Sequence, residues 1–203
     1  MTLTDVGLGP ASAGAAVALS LSLSLGLTSP HAEEPEMTEQ VLFSFEDDEG
    51  PDRWTIVNDG VMGGLSRSRI LLSDERTAVF EGRLSLENNG GFASVRSRPE
   101  AMPTTGSSGL AVRLRGDGRE YQLRIRTSRA FDGVAYRWNL KTTAGEWTTI
   151  EAPYRDFVPT FRGRVLRDVP PIEPAAIRQL GILIADKDET PFRLEIDWIK
   201  AVD

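Results

Sequence analysis

The side chains that most often perform chemistry near neutral pH are nearly absent from this sequence. Its 203 residues include no cysteine and a single histidine, His31. Without cysteine the chain offers no thiolate nucleophile, no thiolate zinc site and no disulfide. Because His31 precedes the segment with the pattern of a folded domain, that segment cannot hold a Ser-His-Asp triad or an imidazole general base.

Carboxylates are the remaining route to catalysis, as in glycosidases that pair an acid with a nucleophile. The chain holds 30 Asp and Glu residues, but no spacing singles out a pair. The sequence therefore predicts a protein that is not an enzyme. Glu46 and Asp197, at opposite ends of the predicted domain, are candidate ligands for a structural calcium ion, which needs several oxygens. Two ligands do not define a site, so no metal site and no cofactor is assigned.

Two glycine-rich segments, residues 58–64 (NDGVMGG) and 87–92 (ENNGGF), combine polar groups with residues suited to recognition. Neither has the strand-then-helix setting of a phosphate-binding loop. One interpretation is architectural, because tight connections with positive φ need Gly or Asn. The other is a binding rim whose polar groups reach outward, with the adaptable Met62 on a partner or the amides on a sugar. The candidate partner-binding residues are Asn58, Asp59, Met62, Gly63, Gly64, Asn88, Asn89, Gly90, Gly91 and Arg96.

Four arginines alternate with apolar residues on either side of a glycine turn at residues 116–118. They are Arg113, Arg115, Arg124 and Arg126. This pattern predicts a β-hairpin that carries all four arginines on one face. The guanidiniums repel one another unless acids from a neighbouring strand lie between them, and residues 193–197 (RLEID) are the candidates. Such an ion-pair lattice is one interpretation, and a docking surface for an acidic partner is the other.

Short apolar runs with a period of two, separated by turn residues, follow Val41. Examples are residues 41–45, 78–86 and 192–198. Runs of this length and period are typical of half-buried strands. Only residues 174–180 look helical, with a proline suited to the first helical position and a glycine after the end. The sequence predicts an all-β sandwich, or jelly roll, with one short helix near the C-terminus.

The N-terminal part has a different composition. Residues 15–27 are small and apolar, and the run ends at Ser29-Pro30. This run is too short for a membrane span but resembles the core of a secretory signal peptide. We expect residues 1–32 to be a leader (signal peptide or anchor), residues 33–40 a linker and residues 41–203 the domain. A real leader predicts export to the periplasm or cell envelope; without one, the protein is cytoplasmic.

Five stretches of the domain carry a distinctive pattern. They are residues 54–66 (WTIVNDGVMGGLS), 80–82 (FEG), 85–96 (SLENNGGFASVR), 115–121 (RGDGREY) and 159–163 (PTFRG). Together they resemble the complex I intermediate-associated protein 30 family over about residues 41–203. The resemblance implies a galactose-binding-like jelly roll and a role as an assembly factor or chaperone for NADH:ubiquinone oxidoreductase. The secretory-looking leader departs from the mitochondrial members of that family, which carry a transit peptide.

The resulting hypothesis is a non-catalytic binding module for the assembly of a membrane redox complex. Its partner is expected to be a protein subunit or intermediate of that complex, with membrane association only through the leader or the partner. A formal net charge of -7 argues against a nucleic-acid partner. The alternative is a carbohydrate-binding module of the cell envelope, with a glycan as ligand.

Overall fold

The computed structural model describes residues 39–46 and 50–203. The strands of these residues are, in chain order, β1 (Gln40–Ser44), β2 (Trp54–Ile56), β3 (Arg67–Leu72), β4 (Ala78–Arg83), β5 (Ala93–Ser97), β6 (Gly109–Arg115), β7 (Glu120–Arg126), β8 (Ala135–Lys141), β9 (Trp147–Pro153), β10 (Val158–Phe161), β11 (Arg164–Val165), β12 (Gln179–Ile184) and β13 (Pro191–Val202). Short 3₁₀ turns lie at Pro51–Arg53, Asp59–Met62, Glu87–Asn89, Tyr154–Asp156 and Pro174–Ala176. The predicted leader and residues 33–38 of the predicted linker lie outside the described residues.

The strands form two antiparallel sheets, which confirms the predicted all-β sandwich. Sheet 1 has the order β3-β4-β13-β6-β9, and β1 also pairs with β13. Sheet 2 has the order β11-β10-β8-β7-β12-β5-β2. The long strand β13 is thus central in sheet 1, whereas β12 lies between β5 and β7 in sheet 2. These two strands decide which side chains stand beside the arginines on each outer face.

Apolar residues at alternate strand positions form one core between the sheets. In β7, Tyr121, Leu123 and Ile125 are fully buried. Sheet 1 contributes the rings of Phe80 and Phe192, whose centroids are 5.0 Å apart. Burying one such side chain contributes about 1.5 to 3 kcal/mol, so the period-two pattern itself drives the two sheets together.

Residues 112–126 do not form the predicted hairpin. β6 pairs with β13 and β9 in sheet 1, whereas β7 pairs with β8 and β12 in sheet 2. The turn between them crosses from one sheet to the other, and the Asp117 carboxylate holds it by accepting hydrogen bonds from the Arg193 N–H (2.8 Å) and the Tyr121 hydroxyl (3.0 Å). The prediction that all four arginines share one face is therefore wrong, because the β6 and β7 arginines lie on opposite faces of the sandwich.

The predicted helix over residues 174–180 is limited to the 3₁₀ turn Pro174–Ala176. Ile177 already has an extended backbone (φ -62°, ψ 130°), and β12 begins at Gln179. β12 pairs with β7 from Gln179 and with β5 from Gly181, which gives the chain more hydrogen bonds and burial there than an isolated helical turn offers. Within the described residues, no helix is long and apolar enough to cross a membrane.

Candidate functional site

The two glycine-rich segments lie side by side because each connects one sheet to the other. The first joins β2 to β3, and the second joins β4 to β5. β2 pairs with β5 in sheet 2 and β3 pairs with β4 in sheet 1, so the connections meet at one end of the sandwich. The structure therefore brings together the two segments that the sequence singled out.

The fully buried carboxylate of Asp59 joins these segments. Its Oδ1 accepts a hydrogen bond from the Ser66 N–H (2.9 Å), and its Oδ2 accepts from the Ser66 hydroxyl (2.5 Å) and the N–H groups of Gly91 (2.7 Å) and Phe92 (3.2 Å). Burial raises the pKa of Asp59, but these hydrogen bonds outweigh it and leave the pKa below its usual value. The expectation that this polar group reaches outward is wrong, because the Asp59 carboxylate accepts four hydrogen bonds inside the protein.

Asn58 and two of the glycines serve the same internal arrangement. The Asn58 Oδ1 accepts a hydrogen bond from the Ser68 hydroxyl at 2.8 Å. A Cβ on Gly64 would overlap the side chain of Asp59, and a Cβ on Gly90 would lie 2.7 Å from the Asp59 Oδ2. Glycine is needed at both positions because the Asp59 carboxylate occupies the adjacent space.

The remaining candidates of these segments lie at the surface. Gly63 has a φ of 90°, and the exposed Asn88 and Asn89 have φ values of 54° and 58°, as tight connections require. Val61 and Met62 are each 61% exposed, although both are apolar. The first segment is thus a rigid loop that presents two apolar side chains to solvent.

Next to this loop, a groove with a volume of about 810 Å³ runs over the outer face of sheet 2. Val61 and Met62 stand at one edge, and Phe131, which is 67% exposed, contributes an aromatic ring to the lining. Of the predicted site residues, Arg96 also lines this groove. The groove and the loop together form the candidate functional site.

The floor of the groove carries arginines from three strands, which we name the arginine row. Its members are Arg96 of β5, Arg124 and Arg126 of β7, and Arg137 of β8. Arg96 and Arg124 lie in register with Gly181 of β12, one on each side, and Arg137 lies opposite Arg124. Residues in register share a face of the sheet, so these guanidiniums stand on one surface. Sequence reasoning missed the row, because only strand pairing brings its members together.

Neutral groups accept the hydrogen bonds of the β7 arginines. Arg124 donates to the Gln122 Oε1 (2.9 Å) and the Thr160 Oγ1 (3.1 Å). Arg126 donates to the carbonyl oxygen of Gly133 at 3.1 Å. In the described part of the chain, no member of the row forms an ion pair with a carboxylate.

The charge of the row is only weakly offset. Asp132 attracts Arg96 and Arg126 electrostatically, but its carboxylate is bound by Arg162 at 2.7 Å. Burial, followed by repulsion from Arg126, lowers the pKa of Arg96 to about 10. Burial and repulsion from the rest of the row likewise lower the pKa of Arg124 to about 10. Both side chains remain charged at pH 7, so the groove floor is positive.

The calcium hypothesis gains no further ligand from the structure. The Asp197 Oδ2 lies 3.0 Å from the Nε of Arg113, which places this carboxylate in an ion pair. Within residues 39–46 and 50–203, no group of three or more His, Cys, Asp or Glu side chains is placed to hold a metal ion.

The sequence matches a known family over most of the described residues. The family model described as complex I intermediate-associated protein 30 matches residues 43–196. A Mus musculus relative, "Complex I intermediate-associated protein 30, mitochondrial", is 30% identical over 181 residues, covering 79% of this chain and 55% of the relative. The Drosophila melanogaster protein of the same name is 27% identical over 181 residues, covering 78% and 61%. The chain thus spans a little over half the length of these relatives.

Solved structures share the fold. A family 11 carbohydrate-binding module from Clostridium thermocellum, solved with a β-1,3-1,4-mixed-linked tetrasaccharide, has a TM-score of 0.59 at 15% identity, covering 81% of this chain and 95% of the module. The agarase AgWH50C has a TM-score of 0.55 at 14% identity, covering 81% of this chain and 24% of the agarase. At these identities the likeness concerns the fold alone, and it confirms the predicted jelly roll.

The prediction of export to the periplasm or cell envelope is wrong. The curated relatives from mouse, Drosophila melanogaster and Caenorhabditis elegans are named as mitochondrial proteins. The prediction depended on the apolar run at residues 15–27, which lies outside the described residues. A short apolar run preceded by no Lys or Arg lacks the basic region of a secretory signal, so hydropathy alone was not specific.

Proposed function

The chain belongs to the complex I intermediate-associated protein 30 family, and from that membership we propose that it is a non-catalytic binding module for complex I assembly. The partner is a protein subunit or an assembly intermediate of the oxidoreductase. The observation that carries the proposal is the rigid loop of residues 58–64, which holds two apolar side chains in solvent.

The loop has the physical properties of a docking surface. Val61, Met62 and Leu65 are 61%, 61% and 49% exposed, so apolar area is available to a partner. Asp59 ties the loop to the neighbouring connection, so little conformational entropy is lost when a partner binds. Methionine adapts its flexible side chain to a partner surface at low cost.

The titratable groups support a non-catalytic role. Burial raises the pKa of Asp59, but hydrogen bonds from Ser66, Gly91 and Phe92 outweigh it and lower the pKa. Burial likewise raises the pKa of Asp186, and its hydrogen bond with Arg119 outweighs that effect. Glu81 and Glu195 are held by arginines in the same way. The groove itself presents guanidiniums, whose pKa values are too high for general acid–base work near pH 7.

The test is affinity purification of the tagged chain from native membranes, with the complex I subunits quantified. The double variant Val61→Ser/Met62→Ser should recover at least tenfold less partner, because a few interface residues carry most binding energy. Its stability should change by less than about 1 kcal/mol, as is usual for exposed positions. Val165→Ser, on an equally apolar residue that is 54% exposed on β11, is the matched control and should bind normally.

A core variant separates docking from unfolding. Phe80→Ala empties a fully buried position and should destabilise the domain by about 3 to 5 kcal/mol. If the loop variant unfolds like Phe80→Ala, the loop is architectural. If it folds and recovers its partner normally, the docking surface lies elsewhere, and Arg96→Ala is the next variant to test.

A glycan ligand stays a prediction. The groove offers the ring of Phe131 and the amides of Gln122 and Gln179, which suit a sugar, but the arginine row is ill-matched to a neutral one. An array of neutral oligosaccharides tests this alternative directly.

A further inference from the structure

We propose that the groove on sheet 2 is a binding site for a small organic ligand that carries a phosphate or diphosphate group. The arginine row would hold the phosphate, and the rest of the groove would hold the organic part. This site goes beyond the role in complex assembly and does not depend on it.

The electrostatics of the row call for an anion. Arg124 and Arg137 are directly opposite each other on neighbouring strands, an arrangement that is destabilising for like charges. Among the described residues, no carboxylate lies within ion-pair distance of Arg124 or Arg137. The nearby Asp132 carboxylate is bound to Arg162. A multiply charged anion in the groove would offset the repulsion between these arginines. This relief of repulsion would favour binding of the anion.

Two of the arginines stand on either side of a glycine on the floor of the groove. Gly181 lies between Arg96 and Arg124 in the cross-strand line, and a Cβ at this position would lie 3.5 Å from the Arg96 Cγ and 3.8 Å from the Arg124 Cβ. The two arginine side chains therefore flank the glycine closely. One strand, β12, lies between these arginines, so two inter-strand spacings put their backbones roughly 10 Å apart, a distance that long arginine side chains span from both sides. The planar guanidinium donates paired hydrogen bonds to oxyanions, and such charge-assisted bonds are strong.

The number of guanidiniums favours phosphate over a carboxylate. A carboxylate brings one charge and two oxygens, whereas a phosphate monoester brings up to two charges and three terminal oxygens. Three or four guanidiniums therefore exceed what one carboxylate can satisfy. A phosphate or diphosphate matches both their charge and their number of donors.

The groove is larger than the phosphate itself. Its volume of about 810 Å³ is in the range of pockets for drug-sized ligands. Phe92, Phe131 and Leu183 supply apolar surface, and Gln122 and Gln179 supply amides for orientation. This lining suits the organic part of a soluble phosphate ester or of a phospholipid headgroup.

The test is calorimetric titration of the full chain with sodium pyrophosphate and with inorganic phosphate at constant ionic strength. We expect pyrophosphate to bind more tightly and to raise the melting temperature by about 2 to 5 °C at a tenfold excess over Kd. Arg124→Gln should weaken pyrophosphate binding at least tenfold, and Arg124→Lys should retain more affinity because it keeps the charge. Arg113→Gln, on the opposite face, is the matched control and should bind like the wild type.

Vesicles of phosphatidylcholine with and without phosphatidic acid distinguish a lipid headgroup from a soluble ligand, and Arg124-dependent binding in either arm supports the site. The proposal is overturned if the folded wild type binds neither pyrophosphate nor the vesicles that contain phosphatidic acid. It is also overturned if Arg113→Gln and Arg124→Gln weaken binding equally, or if only polyglutamate or a neutral oligosaccharide binds. Recovery of complex I subunits by the Arg124→Gln variant is measured in the separate affinity purification. A failure to bind phosphate therefore does not contradict the assembly proposal.

Discussion

The two outer faces of the sandwich both carry arginines, but the arginines meet different neighbours. On sheet 1, Arg115 contacts the Glu195 carboxylate at 2.5 Å, and Arg193 contacts those of Glu195 (2.6 Å) and Glu81 (2.8 Å). On sheet 2, the arginine row donates to amide, hydroxyl and carbonyl oxygens, with no ion pair among the described residues. One face is neutralised by its own carboxylates, whereas the arginine row on the other face keeps its positive charge.

The central strands explain this difference. β13 places alternating charged residues of the segment 193–197 beside β4 and β6, so the predicted acid lattice is confirmed for the β6 arginines. β12 instead places Gln179, Gly181 and Leu183 between β5 and β7. The lattice is absent around the β7 arginines because their neighbouring strand carries no acid at those positions.

The largest effect should come from breaking the neutralised face. Glu195→Gln removes the carboxylate shared by Arg115 and Arg193, and Glu195 is 5% exposed. We expect a loss of about 2 to 3 kcal/mol, because hydrogen bonds to charged groups are stronger than neutral ones and two guanidiniums lose their acceptor. Urea unfolding measures it, and a loss below about 0.5 kcal/mol would mean that the lattice is no more than a solvated surface.

Acid should weaken the same face. Burial raises the pKa of Glu195, but hydrogen bonds from Arg115 and Arg193 outweigh it and hold the pKa below its usual 4.5. A lowered folded pKa means that this stabilisation is present above pH 4.5 and is lost as the pH falls through the folded pKa. The difference in unfolding free energy between wild type and Glu195→Gln should therefore be full at pH 7 and should shrink as the pH falls below 4.5 and through the folded pKa. A gap that persists in acid would contradict the assignment.

On the outer face of sheet 2, removing a charge should raise the free energy of unfolding instead of lowering it. Without an anion, Arg124→Gln removes repulsion from its neighbours and should raise the free energy of unfolding by about 0.5 kcal/mol. Thermal melting in chloride buffer without phosphate measures this change. A clear destabilisation would show that the hydrogen bonds to Gln122 and Thr160 matter more than the repulsion, and the two faces would then be alike.

The smallest effect is expected for the exposed pair on sheet 1. The side chains of Arg113 and Asp197 are 45% and 36% exposed, and their atoms lie 3.0 Å apart. Arg113→Gln should lower stability by about 0.3 to 0.5 kcal/mol, as is usual for surface pairs, and less in high salt. A double-mutant cycle with Asp197→Asn checks it, and a coupling above 1 kcal/mol would contradict this ranking.

The sequence by itself determined several strands, the fold class and the family. Alternating apolar residues predicted β4, β6, β7 and β13, because burial on one side of a strand requires a period of two. The two glycine-rich segments were also located correctly as connections. The internal hydrogen bonds of these segments were not predictable. Nothing in the neighbouring sequence shows that the Asp59 carboxylate accepts hydrogen bonds from the N–H groups of Gly91 and Phe92, 32 and 33 residues away.

Only the tertiary structure decided which strands are neighbours, and with them the candidate ligand site. A period-two strand buries the same residues whether it turns back in a hairpin or crosses to the opposite sheet, so residues 112–126 fit both arrangements. The crossing placed Arg124 beside Arg96 and Arg137 instead of beside Arg113. The helix predicted for segment 174–180 ends after one 3₁₀ turn for a similar reason, since the strands that pair with β12 come from distant parts of the chain. Charge on a strand is visible in the sequence, but whether it is neutralised depends on neighbours that only the assembled sheets provide.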